Sequence, residues 1–138
     1  MALIVQKFGG SSVADAEKIR NVARIITDTY QKGDRVVAVL SAQGDTTDDL
    51  IGKAAEINPA ASKRELDMLL STGEQISCAL CAMAIEGMGF PVVSLTGWQA
   101  GFRTNSGYGN ARIKRVQAER IRAELDKRRI VIVTGFQG

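Results

Sequence analysis

"LIVQKFGGSSVADAEKI", residues 3–19, decides the fold. Residues 3–8 are a short, largely apolar run that carries Lys7 near its end. Beyond Ser12 the apolar positions Ile19, Val22, Ala23, Ile26 and Tyr30 recur every three or four residues. The first pattern predicts a β-strand, and the second an amphipathic helix that ends near Gly33. Gly9, Gly10, Ser11 and Ser12 lie between them. A tight turn from strand to helix asks for glycine, whose backbone is the least restricted. It does not ask for the lysine at position 7.

Working outward, strand and helix keep alternating. "RVVAVLS", 35–41, is a continuous apolar run and predicts a strand covered on both faces. Thr46, Thr47, Asp48 and Asp49 open a helix through about Ile57, which Asn58-Pro59 ends. Ser62 and Glu65 have capping-box spacing and predict a helix through Leu70. Ser71-Thr72-Gly73 then reads as an interruption before a second helix over 74–86. A third strand is expected at 91–95, a loop or irregular hairpin at 97–112, a helix at about 114–128 and a fourth strand at 130–136. The pattern is α/β: a three-layer αβα sandwich around a mostly parallel sheet. No internal repeat, low-complexity tract or linker divides residues 1–138, so one domain unit is expected. The sequence stops directly after its last strand, where a domain more often adds a covering helix. It therefore reads as a chain that is cut, with an open sheet edge after that strand.

Composition narrows the chemistry. Of 138 residues 45% are hydrophobic and 24% charged, as in an ordinary globular domain large enough to bury a core. No stretch looks like the ~20 apolar residues of a membrane span. The N-terminus has neither a basic region nor a cleavage site, which predicts a cytoplasmic protein without membrane partners. The net charge is +3, and the basic residues concentrate after Arg112. Glu119, Glu124 and Asp126 are interleaved with them and aromatic residues are sparse there, so a solvated helix face is expected rather than a nucleic-acid surface. Cys78 and Cys81 form C-x-x-C inside an Ala-rich helical run, without a second pair. The chain has no histidine, so the usual zinc pattern cannot be completed and no metal site is expected. Ser–His and Cys–His nucleophile schemes are excluded as well. Any catalysis must rest on charge and positioning.

In open α/β sheets ligands bind beyond the carboxyl ends of the strands. Those ends lead here into Gly9-Gly10-Ser11-Ser12, Ser41-Ala42-Gln43-Gly44, Thr96-Gly97 and Thr134-Gly135. Glycine lets backbone N–H groups approach an anion, a helix N-terminus adds its dipole, and Lys7 adds a full charge. The segment is either a phosphate cradle or a structural turn beside a surface lysine. Neither G-x-x-x-x-G-K-[ST] nor G-x-G-x-x-G is present to decide between them. Thr46 and Thr47 fit a ligand contact or a helix N-cap equally well. Ser71 and Glu74 have the spacing of a second capping box. Trp98 suits packing at the base of its loop more than stacking on a nucleotide, and Arg103 suits either an anionic ligand or the loop's own carboxylates.

"KFGGSSV" (7–13), "LSAQGDTTDDLI" (40–51), "LLSTGEQIS" (69–77), "SLTGWQAGFRTNSGYGNARI" (94–113) and "VIVTGFQG" (131–138) resemble successive signatures of the aspartokinases, in order, across essentially the whole chain. The resemblance implies the amino acid kinase fold and transfer of the ATP γ-phosphoryl group, with Mg2+, to the β-carboxylate of L-aspartate. The product, 4-phospho-L-aspartate, leads to lysine, threonine and methionine. By motif position Lys7 is implied to neutralise the transferring phosphoryl group, and Gly9, Gly10 and Ser11 to form the phosphate loop. Ser41 and Ala42 match a turn on the substrate side, and Thr47 and Glu74 match residues that hold aspartate, the glutamate facing its ammonium. A homo-oligomer is expected.

The chain departs from the family pattern in places. Ser11 stands where threonine is usual, Asp45 and Asn105 where the family often differs, and Tyr108 where histidine is common. The family's adenine pocket, its "GRGGSD" segment, the arginine for the aspartate α-carboxylate and its ACT domains match nothing here. The 138 residues correspond to the phosphate-loop and amino-acid-binding half and are expected to be inactive alone. A non-catalytic anion-binding or assembly module is the other reading.

Overall fold

A computed structural model of the chain describes residues 2–96, 102–104, 113–116 and 119–135. In chain order the elements are β1 (Leu3–Phe8), a 3₁₀ turn (Gly10–Val13), α1 (Ala16–Gln31), β2 (Arg35–Leu40), α2 (Thr46–Ile57) and α3 (Lys63–Gly87). They continue with β3 (Val92–Leu95), β4 (Phe102–Thr104), β5 (Ile113–Val116), α4 (Glu119–Asp126) and β6 (Ile130–Thr134). Four strands form a sheet in the order β1-β2-β6-β3, with every pairing parallel. Helices α1 and α3 cover one face through Ile26, Leu40, Cys81, Ile85 and Ile132. Helix α4 covers the other through Leu125, packed with Val37, Leu95, Val131 and Val133. This is the αβα sandwich expected from the alternation.

Each element has a local cause. Helix α1 buries Ile19, Val22, Ala23 and Ile26, the residues its periodicity picks out. Asp15 caps it, its carboxylate accepting from the Lys18 N–H at 2.9 Å. Gly33 ends it at φ 96°, a left-handed conformation that costs glycine little. Strand β1 alternates. Gln6 donates from Nε2 to the Thr29 Oγ1 on α1 at 2.9 Å, and Phe8 packs into the same core. Leu3, Val5 and Lys7 face the other way and are exposed.

Two expectations are corrected. Residues 63–87 form one helix, not two separated at Ser71-Thr72-Gly73. The Ser71 hydroxyl donates to the Met68 carbonyl at 2.8 Å and that of Thr72 to Leu69 at 2.6 Å, so both back-bond into the helix rather than cap a new one. Burial of Gly73, Ser77, Cys78, Cys81 and Ile85 outweighs the local cost of glycine. As one helix, α3 is long and apolar enough in composition to cross a bilayer, contrary to the reading of the sequence. Here its buried face closes the core against α1 and the sheet.

The helix expected at about 114–128 is also shorter. Ile113–Val116 is a strand antiparallel to β4, and α4 occupies only Glu119–Asp126. The loop or hairpin expected at 97–112 thus has described flanks that pair, while Trp98, Asn105 and Tyr108 lie outside the described residues. Strand β6 is interior, between β2 and β3, so the edges of the described sheet are β1 and β3 and not the last strand.

Candidate active site

Because all four strands are parallel, their carboxyl ends share one edge of the sheet. Backbone hydrogen bonds knit the turns together there. The Ser41 N–H donates to the Phe8 carbonyl at 3.2 Å, and that of Gly44 to the Gly10 carbonyl at 3.0 Å. On the other side the Gly135 N–H donates to the Leu40 carbonyl at 2.9 Å. The turn after β2 is therefore fixed to the turns after β1 and β6.

Gly10 is needed for this approach, since a Cβ there would stand 2.8 Å from the Ala42 carbonyl oxygen. The chain after Gly9 forms a 3₁₀ turn rather than entering α1 directly. Its first two N–H groups, those of Gly10 and Ser11, have no acceptor among the described residues. The dipole expected from α1 is not what faces them, because the Asp15 carboxylate caps that helix. Any cradle for an anion is therefore the 3₁₀ turn.

The residues expected on the substrate side lie across this edge. Ala42 is buried, and Gly73 of α3 abuts it: a Cβ at position 73 would lie 3.0 Å from the Ala42 Cβ and 3.2 Å from the Thr46 Cγ2. Glu74 follows and is buried. Neither Thr46 nor Thr47 is the N-cap of α2; Asp45 holds that position, without a side-chain bond. Glu74 is equally no capping-box residue, since Ser71 is interior to α3. Lys7, Ser11 and Thr47 are exposed around this centre, and their side chains have no hydrogen bond or ion pair among the described residues. The structure thus brings Gly10, Ala42 and the Gly73-Glu74 step together, with Gly9 and Ser41 adjoining in the chain. Lys7 enters from the sheet face opposite α1.

One helical turn beyond Glu74, a cavity of about 260 Å³ opens between α3 and the ends of β3 and β6. Gln75, Cys78, Ser94, Thr96 and Thr134 line it. Reading the sequence pointed to Thr96 and Thr134 at the strands' carboxyl ends but passed over Cys78 and Ser94; for Ser94 the signal was a hydroxyl near the end of its strand. Cys78 and Cys81 are free and buried, and both thiols are pushed up to about 12. Desolvation is the main cause for both, with the Glu74 carboxylate adding to it at Cys78. At neutral pH they are protonated and poor nucleophiles. Among the described residues no group of three His, Cys, Asp or Glu side chains could hold a metal.

Two of the late basic residues, Arg120 and Arg129, are engaged within the fold. Glu124 is buried and accepts from Arg129 Nη1 at 2.6 Å and from Arg120 Nε at 3.2 Å, and Arg35 lies 3.5 Å from Asp126. The hydrogen bond from Arg129 is the first cause that holds the Glu124 carboxyl below its ordinary value.

The family model described as "Amino acid kinase family" matches residues 2–138. The chain belongs to this family. The aspartokinase of Geobacillus stearothermophilus is 55% identical over 138 residues, which is 100% of this chain and 34% of that protein. The aspartokinase of Mycolicibacterium smegmatis is 56% identical, again over 100% of this chain and 33% of its own length. The chain therefore spans about a third of the curated relatives it matches. Among solved structures, aspartate kinase from Synechocystis superposes with a TM-score of 0.84 at 43% identity, over 99% of this chain and 22% of that one. E. coli aspartokinase III, solved with aspartate and ADP, gives 0.83 at 22% identity, over 99% of this chain and 41% of that one. That likeness is one of fold.

Proposed function

We propose that this segment is the phosphate-loop and amino-acid-binding part of an aspartate kinase, which transfers the γ-phosphoryl group of ATP to the β-carboxylate of L-aspartate. The observation that carries the reading is the convergence of Gly10, Ala42 and the Gly73-Glu74 step at the carboxyl edge of the sheet. It joins an anion-binding type of turn to a buried carboxylate that can face an ammonium group. Identity of about 55% to aspartokinases along the whole chain supports the choice of substrate.

In this reading the N–H groups of Gly10 and Ser11, after Gly9, hold nucleotide phosphate oxygens. The Lys7 ammonium offsets the charge on the phosphoryl group as it moves. Thr47 and Glu74 hold aspartate, the glutamate pairing with its ammonium, and Ser41-Ala42 forms the wall between the two ligands. An oxygen of the aspartate β-carboxylate attacks the γ-phosphorus, the bond to the bridging oxygen breaks, and ADP leaves with that electron pair. The nucleophile is ionised at neutral pH, so no general base is needed; positioning and electrostatics supply most of the acceleration. Mg2+ would arrive on the phosphates, since the described residues offer it no cluster of ligands.

The test is to supply ATP, Mg2+ and aspartate and to trap acyl phosphate as the hydroxamate. The full-length polypeptide carrying this segment is expected to give aspartate-dependent product, and the 138 residues alone little or none. No product from the full-length polypeptide would remove the reading in favour of a non-catalytic module.

A further inference from the structure

Gly73 occupies an expensive place for glycine. It lies in the middle of a 25-residue helix, where alanine would stabilise the backbone. It is buried, its φ lies outside the left-handed range, and the helix runs straight through it. Turn geometry therefore does not explain it. Space does: a methyl group there would meet the Ala42 Cβ at 3.0 Å and the Thr46 Cγ2 at 3.2 Å, with Leu50 Cδ1 next at 3.7 Å. All three belong to the β2–α2 turn and the helix it opens. The same Ala42 presents its carbonyl to Gly10 on its other side. The turn is thus held between two glycines, one from the phosphate-loop side and one from α3.

We infer that Gly73 is a positioning residue for aspartate binding: its missing side chain lets α3 seat against Ala42 and Thr46, and this contact sets where Glu74 stands relative to the phosphate loop. The inference rests on the aspartate-kinase reading and adds a residue to it. Gly73 touches no ligand. It acts through Glu74, the next residue on the same rigid helix, and the Ser77 hydroxyl donates back to the Gly73 carbonyl at 3.4 Å within that helix. The neighbours that an added methyl would meet are side chains and can be trimmed, unlike the carbonyl oxygen that faces Gly10. A steric cause can therefore be reversed.

The experiment uses the full-length polypeptide and compares, by hydroxamate kinetics, Gly73→Ala with its parent and the triple variant Gly73→Ala/Ala42→Gly/Thr46→Ser with the double variant Ala42→Gly/Thr46→Ser. Small misplacements at a site cost up to about 10²-fold, so Gly73→Ala is expected to raise aspartate KM at least about tenfold with ATP KM within about twofold. The trimmed side chains are the two close contacts, so adding Gly73→Ala to the double variant is expected to change that variant's own aspartate KM by no more than about threefold. An aspartate KM unmoved by Gly73→Ala overturns the inference, as does a rise of the same size when Gly73→Ala is added to the double variant. Equal rises in both KM values would mean general damage and overturn it too. Should Gly73→Ala alone not fold, the triple variant becomes the readout: it must fold and hold the double variant's aspartate KM, and failure in either overturns the inference. A parent with no aspartate-dependent activity removes the functional reading, and this inference with it; an active parent with an indifferent Gly73 removes the inference alone.

Discussion

Gly10 stands so close to Ala42 that a Cβ on it would lie 2.8 Å from the Ala42 carbonyl oxygen. That oxygen is backbone, and its turn is already tied to β1 by the bond from the Ser41 N–H to the Phe8 carbonyl. No rotamer change can make room. Gly10→Ala is therefore expected to lower stability by about 1–3 kcal/mol, the usual cost of overpacking. It should also raise ATP KM if, as proposed, the 3₁₀ turn that it moves supplies the N–H groups for nucleotide phosphate. Thermal denaturation and ATP kinetics on the full-length polypeptide check both effects. A variant with unchanged melting temperature and ATP KM would mean that the turn has slack that these distances deny.

Lys7 shares the exposed face of β1 with Leu3 and Val5, near the carboxyl end of the strand. If its ammonium serves the transferring phosphoryl group, its contribution is greatest in the transition state. Lys7→Ala is then expected to lower kcat by about 10²–10³, the usual loss for one such donor, with a smaller change in aspartate KM. Its exposure also predicts little change in melting temperature. A variant that keeps most of its kcat would leave Lys7 an ordinary surface charge.

The large features of this fold are legible in the sequence because burial writes them as period. The core residues of α1 and the apolar runs of β2 and β6 are read off directly, and parallel pairing follows from their alternation with helices. The break expected at Ser71-Thr72-Gly73 has an instructive origin. Ser, Thr and Gly favour caps in isolation, yet here two hydroxyls bond backward into the helix and the glycine buys contact with Ala42, 31 positions earlier. That contact is long-range and leaves no local signal beyond a glycine in a helical stretch. Strand β5 was hidden likewise: Ile113–Val116 has two basic residues in four, and its antiparallel partner β4 is only three residues long. Among the site residues, motif resemblance marked Lys7, Gly10, Ala42 and Glu74. The hydroxyls of Ser94, Thr96 and Thr134 become neighbours only once β6 inserts between β2 and β3.

Glu124 gives a prediction about pH. Its carboxyl lies below the ordinary value, chiefly through the hydrogen bond from Arg129. A carboxylate whose folded pKa is depressed stabilises the fold above its unfolded pKa, and that stability is lost as pH falls through the folded pKa. Both arginines are about half exposed, which screens the pairs. Glu124→Gln is therefore expected to cost about 1 kcal/mol at pH 7, roughly 2–6 °C in melting temperature. The difference from the parent should shrink as pH drops below the usual carboxylate range. Melting curves across that range decide the matter; a gap that persists unchanged in acid would assign the effect to packing rather than charge.

Glu74 offers the sharpest division between structure and function. The sequence allowed it a capping role, paired with Ser71, and that role disappears because Ser71 lies inside a continuous helix with its hydroxyl on the Met68 carbonyl. What remains is a buried carboxylate one residue past the contact between Gly73 and Ala42, close enough to Cys78 to raise its thiol. Glutamine keeps the shape and the hydrogen-bonding oxygen but has no charge to set against an ammonium. Losing a charge-assisted bond at a desolvated site costs roughly 1.5–3 kcal/mol, so Glu74→Gln is expected to raise aspartate KM at least about tenfold. ATP KM should barely move, because the N–H groups proposed to hold phosphate lie on the 3₁₀ turn after β1. The Cys78 thiol should become easier to ionise, since the second cause of its raised pKa is gone. Aspartate kinetics and the pH dependence of Cys78 alkylation read the two effects separately. An easier Cys78 with an unmoved aspartate KM would place the carboxylate beside the thiol but away from the substrate's ammonium.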